Sequence, residues 1–144
     1  MKGAGQLRVG TSGFQYDHWK GVFYAEGMPK KEWFGYYCRH GPILVQLRPG
    51  WGLNIERLRE FLEFAPSRKR WAMEFRNPEW FCKEVFDLLR EHGTALCIHD
   101  MVDDHPQEVT ADWSYYRFHG DHYAGSYSAQ LLSSKADKMA GQLQ

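Results

Sequence analysis

Apolar positions along the chain predict alternating strands and helices. Short, nearly continuous apolar runs at Ile43–Leu47, Trp71–Phe75 and Ala95–His99 are typical of strands covered on both faces. Between them, apolar residues recur every three or four positions, which predicts helices over Ile55–Ala65 and Pro78–Glu91. These elements form two consecutive βαβ units, so we expect a parallel α/β sheet with right-handed connections.

Further elements are predicted nearer the two ends of the chain. Leu7–Gly10 and Trp113–Phe118 have the composition of strands, and Lys30–Arg39 has the spacing of a helix. A last helix is expected after Ser128, a residue type that caps helices well. The helix at Lys30–Arg39 has an aromatic face, which we expect to pack on a sheet. That face consists of Trp33, Phe34 and Tyr37.

The strand Trp71–Phe75 runs directly into polar residues that combine structural and chemical signals. Asn77 suits an N-cap and Pro78 suits the first helical position, so we expect the next helix to begin almost without a loop. Glu74 and Arg76 are two residues apart and therefore point to the same side of an extended chain. Such a pair at the carboxyl end of a parallel strand fits either a functional site or a structural ion pair. Both interpretations stay open.

Composition and charge narrow the class of protein. Apolar residues make up 43% of the 144 residues and aromatic residues 16%, which favours a globular domain over disorder. Lys plus Arg and Asp plus Glu both number 18, so no net charge attracts nucleic acid or a membrane. No signal peptide or membrane-spanning apolar run is present, and we expect a cytoplasmic protein. The cysteines Cys38, Cys82 and Cys97 form no C-x-x-C pair, which favours buried free thiols over disulfides or zinc.

If the strands are parallel, polar side chains gather at the carboxyl edge of the sheet. Arg76 and Arg117 are suited to bidentate binding of a phosphate or carboxylate. Glu74, Asp100 and His119 are candidate general acids or bases. The alternative is a hydrogen-bonded polar layer that merely completes this end of the fold. The expected group is Gln46, Glu74, Arg76, Asp100, Arg117 and His119.

Four segments, in order along the chain, resemble a known family. They are Val9–Phe14 with Tyr16 and Trp19, Gly41–Leu47, Glu74–Phe81, and Tyr116–Gly120 with Tyr127. Together they look like the YecE-like family, domain of unknown function 72. The resemblance implies an α/β fold of TIM-barrel type without an established activity. It also implies polar residues at the strand ends, namely Thr11, Ser12, Gln46, Glu74, Arg76, His99, Asp100, Arg117 and His119.

The chain departs from the family pattern where a helix ending at His40 meets Gly41 and a strand begins at once. A complete (β/α)₈ barrel needs about 250 residues, and family members have further strands at this point. The resemblance therefore implies an internal deletion at residues 40–41 and a truncated carboxyl end. Arg48 also stands where the family usually has proline. We predict one domain over residues 1–144, a partial TIM-barrel-like parallel sheet with about five of eight strands and helices on its outer face.

The functional expectation follows from these polar strand ends. We expect binding of an anionic or sugar-like small molecule, with hydrolysis or isomerisation in intact relatives, and leave open whether the chain is an enzyme. One alternative is a nucleic-acid-binding module that uses exposed aromatics beside the two arginines. Another is a shortened product without function. The aromatics in question are Phe14, Tyr16, Trp19 and Trp80.

The sequence also bears on cofactors, metals and partners. No cofactor is expected, and the His and Asp residues of the later loops lack a diagnostic metal-ligand spacing, so no metal is predicted. Nothing in the sequence indicates a membrane partner. Five strands cannot close a barrel in the geometry of eight, because strand number, tilt and stagger are linked. We therefore expect self-association through open sheet edges at Ile43–Leu47 and Trp113–Phe118.

Overall fold

The structure is a computed structural model that describes residues 6, 8–11, 13–119 and 126–141. The chain forms two compact units. One consists of Met1–Ser12 and His119–Gln144, and the other of Gly13–Phe118. The second unit contains the whole sheet.

Four strands and four α-helices are present among the described residues. They are α1 (Lys30–His40), β1 (Ile43–Gln46), α2 (Ile55–Phe64), β2 (Trp71–Glu74), α3 (Lys83–Glu91), β3 (Ala95–His99), β4 (Tyr115–Arg117) and α4 (Ala129–Gly141). The longest of these helices, α4, has 13 residues, and none of the helices in the described part of the chain is long and apolar enough to cross a membrane.

The four strands form one parallel sheet in the order β1-β2-β3-β4, curled as half of a barrel. This confirms the predicted α/β class and the parallel, partial TIM-barrel-like arrangement. The register pairs Gln46 with Glu74 and His99 with Arg117. The carboxyl ends of all four strands therefore lie along one edge, where the polar residues were expected.

The helices α2 and α3 bury their apolar faces against the strands. Met73 of β2 and Leu96 of β3 belong to the same buried cluster as Leu58 of α2 and Leu89 of α3. Since side chains alternate along a strand, Glu74 points away from this cluster. The sheet thus separates an apolar, helix-covered face from the face that carries the charged residues.

The strand count and one helix start differ from the sequence-based predictions. Residues 8–10 are not in a strand, and Leu7 lies outside the described residues, so the sheet has four strands where about five were predicted. The helix expected from Pro78 begins instead as a single 3-10 turn, Pro78–Trp80. Asn77 caps that turn, because its side chain accepts a hydrogen bond from the Glu79 amide at 3.0 Å. Extended backbone at Cys82 then separates the turn from α3.

Helix ends follow the capping signals of the sequence. Asn54 accepts a hydrogen bond from the Arg57 amide at 2.9 Å, and Ser128 accepts one from Leu131 at 3.2 Å. At the end of α3, Gly93 has a φ of +59°, and the Thr94 amide bonds to the Leu89 carbonyl at 2.9 Å. This is a Schellman arrangement, in which a residue without Cβ adopts the left-handed conformation.

The aromatic face of α1 packs on the segment that precedes the helix, and its predicted packing on a sheet stays a prediction. Trp33 is buried and stacks on Tyr24 with ring centroids 4.4 Å apart. The hydroxyl of Tyr24 donates to the Phe14 carbonyl at 2.6 Å. Phe34, at the edge of the face, is half exposed. The segment from Phe14 to α1 therefore forms its own aromatic cluster within the second unit.

The cysteine prediction holds. Cys38 and Cys97 are buried, Cys82 is partly buried, and all three are free thiols. Burial raises the pKa of the Cys97 thiol, with the neighbouring Glu74 carboxylate adding to the effect. Cys97 is therefore protonated at neutral pH.

Candidate functional site

Glu74, the last residue of β2, is the centre of the polar cluster at the carboxyl edge. Its side chain is fully buried. One carboxylate oxygen accepts hydrogen bonds from Gln46 Nε2 at 3.0 Å and Arg76 Nε at 2.9 Å. The other accepts from an Arg117 guanidinium nitrogen and from the Cys97 thiol at 3.7 Å. Side chains from β1, β3 and β4, and from Arg76 two residues beyond β2, thus meet on one carboxylate.

Burial and these hydrogen-bond donors have opposite effects on the pKa of Glu74. Burial raises the pKa, but hydrogen bonds from Gln46, Arg76 and Arg117 outweigh it and lower the pKa to about 2. Glu74 is therefore ionised at neutral pH and has no proton to give as a general acid. Two guanidinium charges against one carboxylate leave one net positive charge in the cluster.

The two arginines keep donors beyond those that bind Glu74. Within the described part of the chain, Glu74 is the one hydrogen-bond and ion-pair partner of both Arg76 and Arg117. The Arg76 side chain is 27% exposed and that of Arg117 is 13% exposed. A guanidinium has five N–H groups, so each arginine presents further donors from a position fixed by the carboxylate. Such a fixed pair is suited to a carboxylate or phosphate group.

His99, the last residue of β3, is buried and held by backbone groups. Its Nε2 donates to the Phe75 carbonyl at 2.9 Å, and its Nδ1 accepts from the Met101 amide at 3.2 Å. These two bonds require the neutral tautomer with the proton on Nε2. Asp100 follows directly and is exposed. His99 thus joins β2 to the loop after β3, beside the exposed carboxylate of Asp100.

Three other predicted site residues do not belong to the described part of the unit that holds this cluster. Thr11 and His119 belong to the other compact unit, and Ser12 lies outside the described residues. The structure therefore brings together Gln46, Glu74, Arg76 and Arg117, and places His99 and Asp100 at the end of the strand between β2 and β4.

Sequence reasoning missed two contributors to the site and its surroundings. Cys97 lies two residues before His99 on β3, so strand alternation alone would have placed it on the charged face. His105 is buried with its ring 4.4 Å from that of His99. Burial lowers the pKa of His105 to about 4. No periodic pattern in the loop after β3 indicated that this histidine would be buried.

The described residues contain no group of three or more His, Cys, Asp or Glu side chains arranged to hold a metal ion. The expectation of no metal stays a prediction.

Comparison with known proteins agrees with the fold and with the motifs. Residues 8–42 and 38–144 match the profile of a family described as "Protein of unknown function DUF72". The fold is similar to that of a DUF72 family protein from Thermotoga maritima, with a TM-score of 0.64 and 18% identity over 92% of this chain and 86% of that chain. It is also similar to a DUF72 family protein from Enterococcus faecalis, with a TM-score of 0.57 and 19% identity over 88% of this chain and 61% of that chain.

At these identities the two solved structures show the fold alone. No curated protein matches the sequence. The family profile, in contrast, covers nearly the whole chain in two segments. From the profile match, and in agreement with the resemblance seen in the sequence motifs, the chain belongs to the DUF72 family of proteins of unknown function.

Proposed function

We propose that this domain binds a small anionic molecule at the carboxyl edge of its sheet, with Arg76 and Arg117 as the binding residues. The observation that carries the proposal is the shared, fully buried carboxylate of Glu74, which holds both guanidinium groups. One net positive charge and several unused N–H donors remain at a partly exposed position. A phosphate or carboxylate group would neutralise the charge and accept hydrogen bonds from these donors.

In this proposal Glu74 positions the arginines and performs no acid–base step. A carboxyl group with a pKa of about 2 is a weak base and is never protonated at neutral pH. Within the unit that holds the arginines, the candidate acid–base group for hydrolysis or isomerisation in intact relatives is therefore Asp100. The acid–base role of His119, which belongs to the other unit, stays a prediction from the sequence. Gln46 adds an exposed side-chain amide beside the arginines. Binding by His99, Thr11 and Ser12 stays a prediction from the sequence.

A nucleic-acid-binding role has less support. Trp80 is buried and stacks on Phe75 with ring centroids 4.9 Å apart, so it has no free face for a base. Phe14, Tyr16 and Trp19 are partly buried, and each packs against a neighbouring ring. The balanced net charge also provides no long-range attraction for a polyanion. We therefore favour a small ligand.

Isothermal titration calorimetry with inorganic phosphate and with citrate tests the proposal. Charge-assisted hydrogen bonds are worth about 1.5–3 kcal/mol, so Arg76→Ala should weaken binding roughly 10- to 100-fold. Arg117→Ala should have a similar effect. Arg76→Lys keeps the charge but loses the planar fork, and we expect an intermediate loss.

Arg68→Ala is the matched control, because Arg68 is an exposed arginine in the turn before β2, at the opposite edge of the sheet. It should bind both anions as the parent chain does. Circular dichroism at the titration temperature shows whether each variant is folded. Equal losses in Arg68→Ala and Arg76→Ala, or no binding of either anion to the folded parent chain, would contradict the proposal.

We also propose that this chain is an internally shortened member of its family. The two matched segments, residues 8–42 and 38–144, meet where α1 is followed after two residues by β1. We expect insertion of the corresponding segment of a close relative after His40 to raise the melting temperature and strengthen anion binding. A lower melting temperature on insertion would contradict the deletion.

A further inference from the structure

Trp51 is an exposed aromatic residue at the same edge of the sheet as the proposed anion site. It lies in the connection from β1 to α2, which follows the carboxyl end of β1. Trp51 is 53% exposed, although tryptophan carries the largest apolar surface of any side chain. The neighbours Gly50 and Gly52 add no side chains beside the indole. An exposed indole is a candidate contact surface, because its large flat ring can stack on a ligand.

The backbone of Trp51 is held against the residues that follow Arg76. The Trp51 carbonyl accepts a hydrogen bond from the Trp80 indole at 2.9 Å and one from the Asn77 side chain at 3.4 Å. A third hydrogen bond joins the two loops, because the Leu53 amide donates to the Glu79 carboxylate at 3.3 Å. The loop after β1 is therefore fixed to the loop after β2. Trp51 thus occupies a defined place next to the chain segment that carries Arg76.

This fixed backbone matters for binding because ordering a mobile loop would cost free energy on association. Here the ordering is already done by Asn77 and Trp80, neither of which uses the Trp51 indole. A flat apolar ring on a loop fixed beside the Arg76 segment, at the edge where the guanidinium groups lie, suits a ligand that carries both a ring and an anion. Gln46 adds polar character, since its Nε2 is used by Glu74 while the residue itself is exposed.

We propose that the site takes a phosphorylated sugar, with the phosphate on Arg76 and Arg117 and the sugar ring stacked on Trp51. This inference rests on the proposed anion site and names its ligand class. The sugar offers apolar C–H faces to the indole and hydroxyl groups to polar side chains such as Gln46. Inorganic phosphate makes the first contact alone. Trp51 therefore governs the preference for the ring and not the affinity for the anion.

The test compares the affinities for glucose 6-phosphate and inorganic phosphate by isothermal titration calorimetry. We expect the parent chain to bind the sugar phosphate roughly 5- to 10-fold more tightly, the range that one well-placed ring contact contributes. Trp51→Ala should abolish this preference and leave phosphate affinity unchanged. Trp51→Phe should keep most of it. Both variants retain the backbone carbonyl that binds Trp80 and Asn77, so the loop stays in place.

Phe64→Ala is the matched control, because Phe64 is 88% exposed and ends α2, away from the carboxyl edge of the sheet. It should leave both affinities unchanged. Equal affinity of the parent chain for the two ligands overturns the sugar assignment but not the anion site. Tighter binding of adenosine monophosphate than of glucose 6-phosphate overturns it as well. No binding of phosphate overturns both proposals.

Discussion

Replacing Glu74 with glutamine tests whether the buried carboxylate organises the carboxyl edge of the sheet. Glu74→Gln has nearly the same shape but removes the charge. One oxygen still accepts from Gln46 and Arg76, whereas an NH₂ group now faces the guanidinium of Arg117. The mostly buried Arg117 then loses its counter-charge, and two donors face each other. We expect a folded but clearly destabilised protein.

The size of the effect follows from the pKa of Glu74. Ionised Glu74 is stabilised in the folded state, where its pKa falls from the ordinary 4.5 to about 2. Each pKa unit corresponds to about 1.4 kcal/mol, so the ionised group contributes about 3 kcal/mol at neutral pH. Loss of one partner from a buried ion pair costs about 3–5 kcal/mol in other proteins. We therefore expect Glu74→Gln to lower the free energy of unfolding by about 3–5 kcal/mol at pH 7.

The sign of the pH dependence follows from the lowered pKa. The stabilisation by Glu74 is fully present above the unfolded pKa and is lost as pH falls toward the folded pKa. The difference between parent and variant should therefore shrink by about 2 kcal/mol between pH 7 and pH 3. Glu108→Gln is the control, because Glu108 forms a solvent-exposed pair with Arg90 and should change stability by less than about 1 kcal/mol.

Urea denaturation followed by circular dichroism at pH 7 and pH 3 provides the measurement. A difference below about 1 kcal/mol at pH 7, close to that of Glu108→Gln, would show that the carboxylate does not hold the cluster together. A large difference that stays constant down to pH 3 would also refute the reasoning, because it would arise from packing and not from charge.

Four further predictions concern other parts of the chain. Burial lowers the pKa of His105 to about 4, so between about pH 6.5 and pH 4 the unfolded chain binds a proton at this histidine and the folded chain does not. The free energy of unfolding should therefore fall by about 3 kcal/mol over this pH range, and His105→Leu should remove this pH dependence in urea denaturation. Thr110→Val should cost about 1–3 kcal/mol in the same assay, since the buried hydroxyl accepts from the Leu96 amide and donates to the Thr94 carbonyl, both at 2.7 Å. Gly93→Ala should cost about 1 kcal/mol, because alanine is strained at a φ of +59° even though the position has open space. Self-association through the edge strands β1 and β4 should raise the apparent mass in light scattering across a concentration series, and a soluble monomer throughout would contradict it.

Local patterns in the sequence were sufficient for most of the secondary structure. The apolar runs gave β1, β2 and β3 to within one residue, and the residue types at Asn54, Ser128 and Gly93 marked helix ends where the structure has them. The pairing of Glu74 with Arg76 was also predictable, because residues two apart on an extended chain share a side. These features depend on neighbours within a few residues.

Burial of individual side chains depended on neighbours that the sequence does not bring together. The nucleic-acid-binding alternative counted Trp80 among the exposed aromatics, yet Trp80 is buried against Phe75 and donates a hydrogen bond to a carbonyl 29 residues away. The strand predicted at Leu7–Gly10 is absent at residues 8–10, because a short run with strand composition forms a strand only where another strand pairs with it. Composition could not decide either outcome.

The candidate site shows the same division between local sequence and tertiary structure. The sequence by itself determined that polar residues end the strands and that the strands run parallel. Only the tertiary structure decided that Gln46, Cys97 and Arg117, which lie 28, 23 and 43 residues from Glu74, all donate to its carboxylate. The charge state of Glu74 follows from that meeting, because its pKa depends on how far burial is offset by donors from other strands. From the local sequence, Glu74 is a candidate general acid beside Arg76. In the tertiary structure it is an ionised, fully buried carboxylate that holds two arginines.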